Sequence, residues 1–486
     1  MRTRKDPSGV YTGRNGPSGR KSRCLSAIVH FFHKNTPVQP AWRYEQMSPE
    51  EIKQTALTYS LQSWSKQKGL NPIPVEKGEG IYFWDFDGNR YSDMSSQLVN
   101  LNLGHGNKAI VEAIKEQADK YCFVSPSYAS EPRAKLAKMI IELMPDNMGK
   151  VFFTNGGADA NENAVKMARM YTGRNKIFSR YRSYHGSTFG AGNLTGEPRR
   201  YPLEPGIPGF VKFFDPYLYR EQIPFKTEKE ASDYYVAKLR EQICYEGPSS
   251  VAAIVLETIT GSNGVIIPPE GYLKGVRQIC DDYGIMLIVD EVMAGFGRTG
   301  TMFAFEHFDV KPDIVTFAKG VTCGYVQLGG VAVSKAIAEY FDDNLLSCGL
   351  TYSGHPLACA AGVACLNFYK EAKVLENVQA TGKVLGELLE DLKAKHPCVG
   401  DVRYIGLFSA VELVKDKATK EPLVSYGSDP KGVMKSIVGR LGKEGFMTYS
   451  HENMILVAPP LIITAEQLRE ELAKLDKVLS AVDTEI

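Results

Sequence analysis

The chain alternates between short apolar runs and stretches whose apolar residues recur every three or four positions. Val251-Ala-Ala-Ile-Val-Leu256, Met286-Leu-Ile-Val289 and Ile314-Val-Thr-Phe-Ala318 are near-continuous apolar runs. Such runs, without alternation, read as strands buried on both faces. Leu273 to Tyr283, between the first two, has helical spacing. Upstream, Val151-Phe-Phe153 stops at Asn155-Gly156-Gly157. Ala160, Ala164, Met167, Ala168 and Tyr171 then share one face of a helix that Gly173 ends. Strands alternating with helices predict an α/β fold with a mostly parallel central sheet flanked by helices. Ile81-Tyr-Phe-Trp84 followed by Asp87-Gly88 predicts a hairpin. Ser48-Pro49-Glu50-Glu51 reads as a helix start, with Ser48 as N-cap and Pro at the first position. Beyond about residue 366 the chain reads as helix-rich and closes on the amphipathic run Glu466 to Val482.

Charge and cysteine usage narrow the class. Residues 1–44 hold nine of the 57 Lys and Arg but only Asp6 among the 56 acids, so a basic leader precedes a mildly acidic body. Disorder is expected for residues 1–46; a targeting leader, or a true start at Met47, are the alternatives. The acidic body offers no general field for nucleic acid or an anionic membrane. No apolar run approaches the roughly 20 residues that span a bilayer. The nine cysteines are scattered, odd in number and without a C-x-x-C pair, which reads as reduced thiols and a cytoplasmic protein.

Ligands of such sheets bind beyond the carboxyl ends of the strands, and those ends carry chemistry here. The apolar runs end in Glu257, in Asp290-Glu291 and in Lys319-Gly320. A lysine just after an apolar strand is partly desolvated, so its amine can stay neutral and nucleophilic, as a Schiff base requires. A carboxylate on the neighbouring strand can pair with a protonated ring nitrogen and make a pyridinium an electron sink. Gly156-Gly157-Ala158, opening a helix, offers N–H groups to a phosphate. Taken singly, each is more often a solvated edge residue or a turn. Together they match the three handles of pyridoxal phosphate. Gly295-Phe-Gly297-Arg-Thr-Gly300 matches a dinucleotide fingerprint, but the short aromatic segment after it, reaching Pro312 quickly, excludes the helix that such a loop needs.

The run Leu287-Ile-Val-Asp290-Glu291-Val292 through Gly295–Gly300, followed by Asp313 and Ala318-Lys319-Gly320, resembles the class III aminotransferases from about residue 60 to 482. The resemblance implies a fold type I pyridoxal-phosphate-dependent transferase. Its large cofactor domain is expected at 95–365. A smaller α+β domain is expected from both chain ends, at 47–94 and 366–486. Lys319 is then the Schiff-base lysine and proton shuttle. Asp290 binds the pyridine nitrogen, and Val292 and Tyr184 of Tyr184-His185-Gly186 cover the two ring faces. Gly157 and Ala158 contact the phosphate, and Glu257 lies near the cofactor's hydroxyl. Thr351 reaches the phosphate of a neighbouring subunit, implying a homodimer with shared sites. Arg403 of Val402-Arg-Tyr-Ile-Gly406 binds the substrate carboxylate. His185 is expected to be structural, and for Arg298 a turn-stabilising role and a ligand role stay open.

Two departures stand out. The phosphate segment Asn155-Gly-Gly-Ala-Asp-Ala160 lacks the family's hydroxyl, and Tyr404 follows Arg403 where glycine is common. The implied reaction is ping-pong transfer of an amino group from a small-molecule amine to a 2-oxo acid. Asn155 to Glu162 and Arg182-Ser-Tyr-His-Gly186 look closest to the taurine transaminases that use pyruvate or 2-oxoglutarate. β-Alanine and 4-aminobutyrate stay open as donors. So does a lyase, decarboxylase or racemase of the same fold.

Overall fold

The strand Val251–Glu257 has every residue buried, as its unbroken apolar run requires. It is an interior strand of the largest sheet among the described residues, next to the middle one. The computed structural model of the chain describes residues 47–485, and the basic leader lies outside them. The chain divides into two compact units at Pro74/Val75. In the first, the helix α1 (Pro49–Tyr59) begins as its sequence predicts. Ser48 Oγ accepts from Glu51 N at 3.3 Å, and Ser48 N donates to Glu51 Oε2 at 2.8 Å, a reciprocal capping box.

The second unit opens with β1 (Val75–Glu79), β2 (Tyr82–Asp85) and β3 (Arg90–Asp93). The β2–β3 hairpin turns where Asp87-Gly88 predicts, with Gly88 at φ +82° and Asp85 Oδ1 accepting from Asn89 N at 2.9 Å. The central sheet contains β4 (Met148–Thr154), β5 (Lys176–Arg180), β6 (Phe210–Phe213), β7 (Val251–Glu257), β8 (Met286–Asp290), β9 (Ile314–Phe317) and β10 (Gly329–Ser334). Its order is β4-β10-β9-β8-β7-β5-β6, with β10 the antiparallel member. The ladder places Glu257 opposite Asp290 and Asp290 opposite Thr316. Three chemistry-bearing strand ends therefore meet at one edge.

The chain after the helix Pro356–Glu371 is less helical than expected. It adds β11 (Val399–Ile405), β12 (Phe408–Asp416), β13 (Glu421–Pro422), β14 (Phe446–Met447), β15 (Ser450–His451) and β16 (Met454–Val457). β14 pairs in parallel with β3, so both ends of the second unit share a sheet. The helix Pro356–Glu371 runs unbroken through the expected boundary at 365/366. Among the described residues, no helix is long and apolar enough to cross a membrane.

Candidate active site

Lys319 follows β9 in a short turn and holds a left-handed φ of +46°. That conformation is strained for a residue with a Cβ and recurs at functional sites. Burial lowers the Lys319 amine to about 8; Asp290 and Glu257 oppose this, while Arg199 and Arg298 add to it. A neutral, nucleophilic amine is thus accessible near physiological pH.

Asp290 ends β8 with its carboxylate buried. Its Oδ2 accepts from Asn161 Nδ2 at 2.8 Å and meets His185 Nδ1 at 2.7 Å; its Oδ1 accepts from Val292 N at 3.0 Å. Asn161 is fixed in turn by Thr316 Oγ1, which donates to its Oδ1 at 2.8 Å. An ionised Asp290 requires the proton of His185 on Nδ1, so this histidine orients the carboxylate, as its expected structural role implies. Glu257 is also buried. It accepts from Tyr184 N at 3.0 Å and Gly261 N at 2.7 Å, and burial raises its carboxyl above the usual range.

The glycine turn closes on the same place. Gly157 opens the helix Gly157–Thr172, and a Cβ there would lie 2.8 Å from Val292 Cγ1, so glycine lets the helix start press against Val292. Added carbon at Gly156 would meet nothing within 4 Å. Ala158 lies against Gly186, which follows Tyr184-His185. A buried anion, a lysine of lowered pKa and exposed helix N–H groups together fit the ring nitrogen, aldehyde and phosphate of pyridoxal phosphate. Lys319, Asp290, Glu257, Val292, Gly157, Ala158 and Tyr184 are thus brought together. Thr351 is exposed on the 344–355 loop.

Arg403 does not join them. The β11–β12 ladder sets it opposite Ala410, two residues from Glu412 on the same face. Its Nη1 lies 2.7 Å from both Asp401 Oδ2 and Glu412 Oε2, and its Nε donates to Gly264 O at 2.7 Å. Burial opposes its charge, yet Tyr217, Glu412 and Asp401 outweigh this and raise its pKa. Where the sequence expects a carboxylate receptor, the structure pairs the guanidinium with Asp401, Glu412 and Gly264 O, bridging β11, β12 and the turn after β7. Of the two roles open to Arg298, its contacts favour the structural one: fully buried, it bonds Leu407 O, Pro459 O, Ser96 Oγ and Asn102 Oδ1 at 2.6–3.0 Å.

The cation that sequence reasoning missed is Arg199. Its guanidinium carbon lies 3.8 Å from the centroid of the Tyr184 ring. Its Nε bonds Glu197 Oε1 and its Nη2 donates to Ser262 Oγ at 3.1 Å. The arginine stands in Glu197-Pro-Arg-Arg-Tyr201, which has no apolar period and no motif spacing to single it out.

Residues 64–479 match the family model "Aminotransferase class-III". The chain is 34% identical over 434 residues to the taurine–pyruvate aminotransferase of Bilophila wadsworthia, covering 86% of this chain and 94% of that one. It is 33% identical over 434 residues to a probable mitochondrial gamma-aminobutyrate transaminase 3 of Oryza sativa subsp. indica, covering 86% and 84%. Its fold superposes with a TM-score of 0.89 on the taurine:2-oxoglutarate aminotransferase of Bifidobacterium kashiwanohense, solved with pyridoxal phosphate and glutamate. That protein is 56% identical, and the match covers 90% of this chain and 99% of that one. With a mostly parallel sheet of the fold type I kind and a site suited to pyridoxal phosphate, the chain belongs to the class III aminotransferases.

Proposed function

We propose that the enzyme takes an amino group from a small amine bearing an anionic far end, taurine above all, and passes it to pyruvate or 2-oxoglutarate. The observation that carries this is Arg199, a guanidinium stacked on Tyr184 and close enough to Lys319 to lower its pKa. A planar fork in that position can hold a sulfonate or carboxylate while the amine faces the lysine. The likeness to two taurine aminotransferases supports the sulfonate. The likeness to a probable gamma-aminobutyrate transaminase keeps a carboxylate donor as the second reading.

Pyridoxal phosphate, when bound, supplies an electron sink for charge developing on the carbon that carries the amine. Lys319 Nζ would hold the cofactor and, as the free amine, would take the proton from that carbon. Asp290 keeps the ring nitrogen protonated, with His185 and Asn161 fixing its aim. Tyr184 and Val292 exclude water from the two ring faces, and Glu257 lies on the hydroxyl side. The N–H groups of Gly157 and Ala158 receive the phosphate. Thr351 serves the phosphate of a partner subunit, so the working unit is a homodimer. The cycle is ping-pong, with the 2-oxo acid entering after the first product leaves.

A donor panel tests this: taurine, β-alanine, 4-aminobutyrate and 1-phenylethylamine against each 2-oxo acid, followed by formation of the pyridoxamine form. The expected order puts taurine first. Cofactor-loaded enzyme that reacts with no donor overturns the reading.

A further inference from the structure

Behind Arg199 lies a second, unusual pair. Glu197 uses Oε1 to hold Arg199 Nε, while its Oε2 is buried and accepts no hydrogen bond. Facing that oxygen at 3.4 Å is Nε2 of His451, also buried and without a hydrogen-bond partner. About a quarter of the His451 side chain, 23%, still reaches solvent, which gives a proton a way in. Arg199, Glu197 and His451 thus form a chain leading from the Tyr184 ring to β15.

We propose that seating the substrate's anionic end on Arg199 draws a proton onto the Glu197–His451 pair, making both residues positioning groups for acid recognition. This rests on the reading above that Arg199 receives the anion. Burial lowers the His451 imidazole to about 4, and Arg199 and Arg182 press it further the same way. Burial raises Glu197 against the pull of Arg199. An anion paired with Arg199 cancels one of the cations suppressing His451 and adds negative charge beside Glu197. Both changes favour the imidazolium, whose Nε2–H then meets the unpartnered Oε2.

The surrounding groups act in a known sense. Arg182 is held by Glu452 Oε2 at 3.4 Å and stacks at 5.1 Å on Tyr426. Tyr449, beside His451 in sequence, is kept neutral by burial. The helix Val433–Lys443, packed against β15, points Lys435 and Lys443 to solvent and pairs Arg440 with Glu485 at 2.7 Å. By linkage, proton uptake on binding means that anions bind more tightly as pH falls.

The test is calorimetry of the holoenzyme with ethanesulfonate, a sulfonate without an amine. It is run from pH 6 to 9 in two buffers of different ionisation enthalpy, neither a primary amine nor a sulfonate. Wild type is expected to take up a fraction of a proton per site at pH 6, declining towards pH 9, with Kd rising in parallel. His451→Asn lowers both the uptake and the pH slope. Glu197→Gln diminishes them and serves where the first variant does not fold. Binding without uptake, uptake unchanged in both variants, or no binding of ethanesulfonate overturns the proposal. Turnover of taurine separates the two readings: taurine reacting without uptake sinks the proton coupling alone. Neutral amines reacting while no acid-bearing donor does sinks the Arg199 assignment with it.

Discussion

The cofactor end and the acid end of this site are built in opposite ways. At the cofactor end, Glu257 and Asp290 end neighbouring strands opposite one another and Lys319 follows β9 two residues on; the β7–β8–β9 ladder sets the register of these strand ends. At the acid end, Arg199 comes from the turn Pro198–Leu203, Ser262 from the turn after β7, and His451 from the two-residue strand β15. Side-chain contacts rather than one shared ladder join these three segments, although His451 itself belongs to the β15–β16 pair. Chemistry common to every donor is carried by the rigid sheet; recognition, which differs among donors, is carried by connecting segments.

The largest effects should come from breaking the rigid end. Lys319→Ala removes the covalent hold and the proton carrier together. Transamination should fall on the order of 10⁴-fold, and borohydride should no longer fix the cofactor to the protein. A stable adduct in the variant would assign the role to another lysine. Asp290→Asn leaves shape intact but replaces the anion. Its expected loss is about 10³-fold, the scale of removing one preorganised electrostatic contact. If the rate falls less than tenfold, the pairing with the ring nitrogen is wrong.

The same contrast decides what was legible. Strand ends can be read because an unbroken apolar run announces its own end. Asp290 and Lys319 follow such runs directly, and Gly156-Gly157 marks the helix start by its composition. Arg199 and His451 have no such marker, because they are brought together through the tertiary pairing of Glu197 with His451, far apart in sequence, a relation no local pattern records. Arg403 shows the opposite case. A motif singles it out, but no local pattern announces that β11 and β12 place Asp401 and Glu412 beside it. Those strands went unread for a related reason: Phe408–Val414 is buried throughout and lacks alternation, and the long helices before it dominate the pattern.

Comparing Arg403 with Arg199 sharpens the point. Arg403→Ala takes one partner from Asp401 and one from Glu412, although Lys393 at 3.1 Å still holds Asp401 and Arg220 at 2.5 Å and Asn453 at 3.2 Å still hold Glu412. The low end of the range for a broken buried pair applies, about 3 kcal/mol, read as a lowered unfolding midpoint. A variant of wild-type stability with a raised KM for the 2-oxo acid would restore Arg403 as a carboxylate receptor. Arg199→Gln should act on recognition as well. Glu197 loses its ion pair, so stability falls too, while kcat/KM for taurine falls by about 1.5–3 kcal/mol, the worth of a hydrogen bond to a charged group. The loss for 1-phenylethylamine should be smaller; equal losses would remove the arginine from acid recognition.

The smallest effect tests whether the two ends speak to each other. Lys319 captures cofactor only as the neutral amine, and its pKa lies near 8. Cofactor capture by the apoenzyme should therefore rise with pH and level off above 9, by about tenfold over its value at pH 7. The linkage has a matching sign. The unfolded lysine titrates near 10.5, so between about 8 and 10.5 the unfolded chain binds more protons, and this group favours the folded apoenzyme increasingly as pH rises through that window. Asp290 and Glu257 hold the Lys319 pKa up, whereas Arg199 holds it down. Asp290→Asn should consequently move the midpoint of the capture profile to lower pH, and Arg199→Gln should move it to higher pH. Opposite shifts mean that the recognition arginine helps to keep the nucleophile neutral, so an acid neutralising Arg199 also raises the proton affinity of Lys319. A midpoint that ignores Arg199→Gln would leave the two ends electrostatically independent.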